Sequence, residues 1–138
     1  DAELRDELAR ARDAVVKVHA EQSVQLGLGR AAPRHRVGTG FFIATNGWLV
    51  TAAAVVDGAE TCWIERAGRS VPARLHGVDR RANLAVLAVD PAALAALDQP
   101  LAHLPLTDTP PPRVGSFVVA IGFAFDQPCA PSVGVAMN

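Results

Sequence analysis

Histidine, cysteine, serine and the acidic residues are the side chains that could do chemistry in this chain. Histidines stand at 19, 35, 76 and 103 and cysteines at 62 and 129. A zinc site draws on three or four ligands, commonly in pairs a few residues apart. No pair here has that spacing, so His19, His35, His76 and His103 each read as an ordinary surface or strand residue, and no metal or cofactor is expected. Cys62 and Cys129 read as small buried hydrophobes, and whether they pair in a disulfide stays open. A serine becomes a nucleophile only when a base takes its proton. Ser116 and Ser132 lie in SFVVAIGF and SVGVAMN, with no sharp turn around either, and read as surface hydroxyls.

The elements that would position such groups are mostly strands. Leu4, Leu8 and Ala11 recur at spacings of four and three with Glu3, Asp6, Glu7 and Arg10 between them, which predicts an amphipathic helix over 1–13. This pattern is not that of a signal peptide. AVVKVHA begins a strand, and GLGRAAPRHR, residues 27–36, reads as an exposed basic loop. Strands over 37–44 and 48–52 flank Thr45-Asn46-Gly47, a hairpin signal because Asn and Gly tolerate positive φ. A helical turn over 53–59, a strand over 61–66 and a turn at Ala67-Gly68 follow. Residues 70–79 alternate Val71, Ala73, Leu75 and Gly77 with polar neighbours, the period of a half-buried strand. Residues 84–89 and 116–123 are apolar strands. Between them Asp90-Pro91 caps a short helix, and Pro110-Pro111-Pro112 forms a stiff tether. Many short strands with regular turns predict a barrel or sandwich.

The 138 residues suffice for one domain with a core, half of them hydrophobic and a fifth charged. A net charge of −1 gives no nucleic-acid footprint. No apolar run approaches the roughly 18 residues of a membrane helix.

The segment 37–56, VGTGFFIATNGWLVTAAAVV, resembles the start of a trypsin-fold serine protease of the bacterial HtrA/Deg type. VVDGAE, GVDRRANLAVLAVD and RVGSFVVAIGFAF resemble further segments of that family, in the same order. The resemblance covers about residues 13–90 and 113–138. It implies an all-β fold, the first six-stranded Greek-key β-barrel of the trypsin-like two-barrel architecture with a short N-terminal helix. The implied division is a helix over 1–13, a barrel over 14–126 with a long loop over 90–115, and over 127–138 a linker and first strand of a second barrel.

The same resemblance marks departures. In the family, Thr-Ala-Ala runs into the histidine that acts as general base, and here Ala54 occupies that position. Asn83, in ANLAVL, stands where the family has the aspartate that orients the histidine. Alanine carries no proton, and an amide cannot balance an imidazolium. The family's Gly-Asn-Ser-Gly-Gly nucleophile segment is not in this chain, so no catalytic residue is intact.

Three functions follow as expectations. The first is a pseudoprotease that binds, regulates or scaffolds. The second is the N-terminal part of an active HtrA-like endopeptidase that has been inactivated, truncated or cleaved. The third is a β-barrel interaction module unrelated to proteases. The expected partners are a second β-barrel, on a continuing or separate chain, and a peptide or protein ligand. Phe123, Phe125 and residues 133–137 are expected to face that second barrel. By family resemblance the expected location is the bacterial periplasm or outside the cell.

Overall fold

A computed structural model describes residues 2–97, 102–123 and 130–137. Helix α1 spans Ala2–Ala14, followed by strands β1 (Val15–Gly27), β2 (Arg30–Phe42) and β3 (Trp48–Thr51). The short helix α2 (Ala53–Val56) precedes β4 (Thr61–Arg66), β5 (Arg69–Asp79) and β6 (Leu84–Ala88). Helix α3 (Pro91–Leu94) and strands β7 (Phe117–Gly122) and β8 (Ala130–Val135) complete the order. Six strands close into an antiparallel barrel in the order β1-β2-β3-β6-β5-β4. β3 pairs with β6 rather than with β4, the skipped pairing of a Greek key. The expected six-stranded barrel is therefore present, and its interior is where alternate strand residues converge. Val16, Val18, Phe42, Leu49, Ile64, Val71 and Leu87 share one buried cluster.

Small residues in the VGTGFF segment make room for this core. A Cβ on Gly40 would stand 2.8 Å from Val18 Cγ2 and 3.0 Å from Leu49 Cδ1, closer than carbon atoms pack. Gly47, at φ +93°, closes the β2–β3 turn, and a side chain there would collide with the Val89 carbonyl oxygen. Asn46 does not share the left-handed conformation expected of the pair. Its Oδ1 instead accepts the Trp48 N–H at 3.3 Å, a side-chain turn rather than a mirror-image hairpin. At Ala67-Gly68 both residues do have positive φ, 51° and 78°, and the turn joins β4 directly to β5.

Two expectations are corrected by register. Residues 30–36 are not a loop but the first half of β2, paired with β1 out to Gly27↔Arg30. Pro33 sits opposite Ser23, whose N–H points away to Glu60 Oε1 at 2.8 Å. That pair is a non-hydrogen-bonded position of the ladder, where proline's missing donor costs little. Arg36 is likewise not simply solvated surface, because it braces α2. In β5 the alternation of 71, 73 and 75 breaks at an irregularity between Leu75 and Gly77. Beyond it Val78 packs on the core, while Leu75 stays 41% exposed. An extra residue in one strand reverses which parity faces inward.

α1 and α3 follow their sequence signals. Leu8 and Ala11 are half-buried. The Asp90 side chain accepts the Ala92 N–H at 3.0 Å, with Pro91 opening the helix. β7 lies outside the closed barrel. It pairs with β8 in a separate two-stranded sheet, Phe117↔Val135 through Gly122↔Ala130. Phe117, Val133 and Met137 are 83%, 74% and 85% exposed. Phe123 touches the first barrel: its N–H donates to Thr39 Oγ1 at 2.8 Å and its ring lies 5.4 Å below Lys17 Nζ. Phe125 lies outside the described residues.

Candidate functional site

The corner that joins Ala54 to Asn83 is built from backbone groups. The first amides of any helix lack intrahelical partners, and Ala52, at the start of α2, offers no side-chain cap. Asn83, 29 residues on, supplies one from a distance. Its Oδ1 accepts the Ala54 N–H at 3.0 Å and its carbonyl oxygen accepts the Ala53 N–H at 3.2 Å. The turn before β6 presents Asn83 at φ +53°, a conformation that asparagine tolerates better than most residues. The two positions singled out by sequence thus meet in space, both exposed to solvent.

The other end of α2 is held by charge. Arg36 donates to the carbonyls of Ala54 and Asp57, each at 2.8 Å. Arg80 grips the Asp57 carboxylate with Nε and Nη2 at 2.7 and 2.9 Å. That hydrogen bond, with the charges of Arg80 and Arg36, holds the Asp57 carboxyl below its ordinary 3.8. Beneath the corner Thr51 Oγ1 donates to the Thr39 carbonyl at 2.7 Å. Among the described residues, the bonds at residues 54 and 83 come from amides, carbonyls and a guanidinium. None of these groups accepts or releases a proton at ordinary pH.

Ser116 and Ser132 do not join this corner. Ser132 lies opposite Ala120 in the β7–β8 sheet, and the backbone of Ser116 bonds to Arg113 and Ala136. Cys62 is buried, and desolvation raises its thiol above the ordinary 9.0. Cys129 lies outside the described residues. No group of three or more metal-ligating side chains occurs among the described residues.

The titratable side chains gather elsewhere, on the outer face of β1, β2 and β4. His19 Nε2 donates to Glu65 Oε1 at 2.8 Å, and His19 Nδ1 lies 2.9 Å from His35 Nε2. With Nε2 donating, Nδ1 of a neutral His19 accepts from His35. Trp63 lies parallel to both rings, its centroid 5.2 and 5.6 Å from theirs. His19 is only 6% exposed. Sequence reasoning treated these histidines as isolated. They meet because β1 pairs with both neighbours, so that Val37, His19 and Trp63 form one cross-strand row. Only the register brings His35 and Glu65 diagonally onto His19.

Residues 38–135 match the trypsin-like peptidase domain family. The chain belongs to that family. Among similar curated proteins is a probable periplasmic serine endoprotease, DegP-like, of Halomonas elongata. It is 34% identical over 113 residues, which span 80% of this chain and 22% of the relative. Its counterpart in Rhizobium meliloti is 40% identical over 100 residues, 72% of this chain and 18% of the relative. The crystal structure of the serine endoprotease from Yersinia pestis matches with a TM-score of 0.71 and 26% identity, covering 95% of this chain and 43% of that one. This trypsin-like peptidase domain therefore spans about a fifth of the length of those curated relatives. The match to a peptidase family removes the reading of a barrel unrelated to proteases.

Proposed function

We propose that this trypsin-like domain does not hydrolyse peptide bonds and acts by binding, as a pseudoprotease. The observation that supports this reading is the contact between Ala54 and Asn83. The corner where the resemblance expects a general base and its orienting carboxylate holds a methyl group and an amide. A serine attacks a peptide carbonyl only as its proton leaves, and the imidazole that receives it needs an anion on its far side. In a related mechanism, removing the histidine alone lowers turnover by about 10⁶-fold. In this reading Asn83 keeps the part of the role that is structural, capping α2, and gives up the charge.

A second barrel completes the proposal. The β7–β8 sheet exposes Phe117, Val133, Val135 and Met137, and two strands alone rarely make a stable unit in water. We assign β7 and β8 to the opening of that second barrel, supplied by a continuing or separate chain. The ligand would be a peptide or protein segment in the cleft between barrels. Because the similar proteins are named periplasmic, we place this chain in the periplasm or outside the cell.

The test is an assay of the full-length native protein on an unfolded protein substrate, with binding of the same substrate measured alongside. Binding without cleavage supports the proposal. Cleavage by the native protein overturns it.

A further inference from the structure

The turn between β2 and β3 joins two residues that can react with each other. Asn46 is exposed, and Gly47 follows it. An asparagine side chain carries an electrophilic amide carbon, and the backbone nitrogen of the next residue can close a succinimide ring on it. A side chain on that next residue obstructs the closure, and glycine has none. The fold requires glycine here. Gly47 has φ +93°, and a Cβ on it would collide with the Val89 carbonyl oxygen. The barrel therefore cannot shield Asn46 by placing a bulkier residue after it.

The side chain is also posed for attack. Asn46 Oδ1 accepts the Trp48 N–H at 3.3 Å, so it arches over the intervening Gly47 peptide as a side-chain turn. The same N–H lies on the oxygen that gains negative charge as the new bond forms. The Gly47 carbonyl accepts the Val89 N–H at 2.9 Å, but no hydrogen bond among the described residues takes up the Gly47 N–H. Asn83 is held in the opposite way. Both of its oxygens accept from α2 and its N–H donates to the Arg80 carbonyl at 3.3 Å. The nitrogen that follows it belongs to Leu84, paired with Asp79 at the start of β6.

We infer that Asn46 is a site of spontaneous covalent modification, converting in the folded protein to aspartate and isoaspartate. The Gly47 nitrogen gives its proton to hydroxide and attacks Asn46 Cγ. A C–N bond forms, and ammonia leaves with a proton taken from water. Water then opens the succinimide at either carbonyl, one giving aspartate and the other isoaspartate. One water is consumed and one ammonia released, with no change of oxidation state. Aspartate keeps an oxygen for the Trp48 N–H. Isoaspartate instead adds a methylene to the main chain, which displaces Gly47 from Val89 and Trp48 from Ala88, where β3 meets β6. The inference does not depend on whether the domain cleaves peptides.

The test is peptide mapping by mass spectrometry of the full-length native protein, held folded at a series of pH values from 6 to 9. The expected result is the mass gain of an amide-to-acid exchange at residue 46, faster as pH rises and about tenfold or more faster than at Asn83. Part of the product should accept a methyl group from an isoaspartyl methyltransferase, and the isoaspartate form should melt below the Asn46→Asp variant. Asn46→Ser, whose hydroxyl can still accept the Trp48 N–H, should abolish the mass gain there and leave the melting temperature close to that of the native protein. No mass gain at residue 46 in the folded protein, a rate there no greater than at Asn83, or an isoaspartate form as stable as Asn46→Asp would overturn the inference.

Discussion

At the corner where α2 meets the turn before β6, the backbone is arranged around Ala54 and Asn83, and neither side chain can exchange a proton. On the outer face of β1, β2 and β4 the reverse holds. Glu65, His19 and His35 form a hydrogen-bonded line of titratable groups, and no serine or cysteine among the described residues bonds to it. One region holds amides, carbonyls and a guanidinium that do not exchange protons at ordinary pH, and the other holds titratable groups. The difference separates what a fold keeps from what chemistry needs. Asn83 has a reason to remain in place that has nothing to do with catalysis, because it caps two otherwise unpaired amides. His19 likewise has a structural reason, since it carries a carboxylate on the barrel wall.

The largest effect expected from breaking this contrast comes from rebuilding the empty corner. With histidine at 54, adding an anion through Asn83→Asp should raise the proton affinity of the new imidazole by about 10- to 1,000-fold relative to Ala54→His alone. An NMR titration of the two variants reads this directly and needs no downstream serine. Equal titration curves would mean that residue 83 does not face residue 54 as described.

Removing a side chain that holds either region together should cost stability. His19→Ala leaves Glu65 and His35 without their shared partner and should destabilise the protein by about 1–3 kcal/mol in a denaturant melt. Asn83→Ala loses the bond to Ala54 and puts a β-carbon in the left-handed region. It should cost about 1–2 kcal/mol, with Asn83→Asp close to neutral because its oxygen still accepts.

The smallest effect concerns Asp57. Its carboxyl lies below the ordinary 3.8, chiefly through the hydrogen bond from Arg80. The folded state therefore binds that proton less readily than the unfolded state. The stabilisation is complete above the unfolded value and fades as pH falls through the lower folded value. Arg80→Ala should lower stability slightly near neutral pH and leave it unchanged at the acid end, flattening that limb of the curve, as thermal melts between pH 2 and 7 would show.

Local features were readable from the chain alone. The Asp90-Pro91 start of α3, the turn at Ala67-Gly68 and the helical turn after Thr51 depend on neighbours a few residues away. The pairing of Ala54 with Asn83 was readable only because a family resemblance supplied the distant partner. What depends on register was not readable. The first half of β2 has no inside to alternate against, so its Arg and Pro residues looked like a loop. The irregularity at His76 hides where β5 changes face. His19 and Glu65, 46 residues apart, become neighbours only once β1 is laid against β4.

The central claim is that a peptidase fold has kept its scaffold around a site that cannot move a proton. The most direct measurement is hydrolysis of an unfolded protein substrate by the full-length native protein. The account predicts no cleavage above the buffer control. Turnover in the ordinary enzymatic range, about 1–1,000 per second, would contradict it.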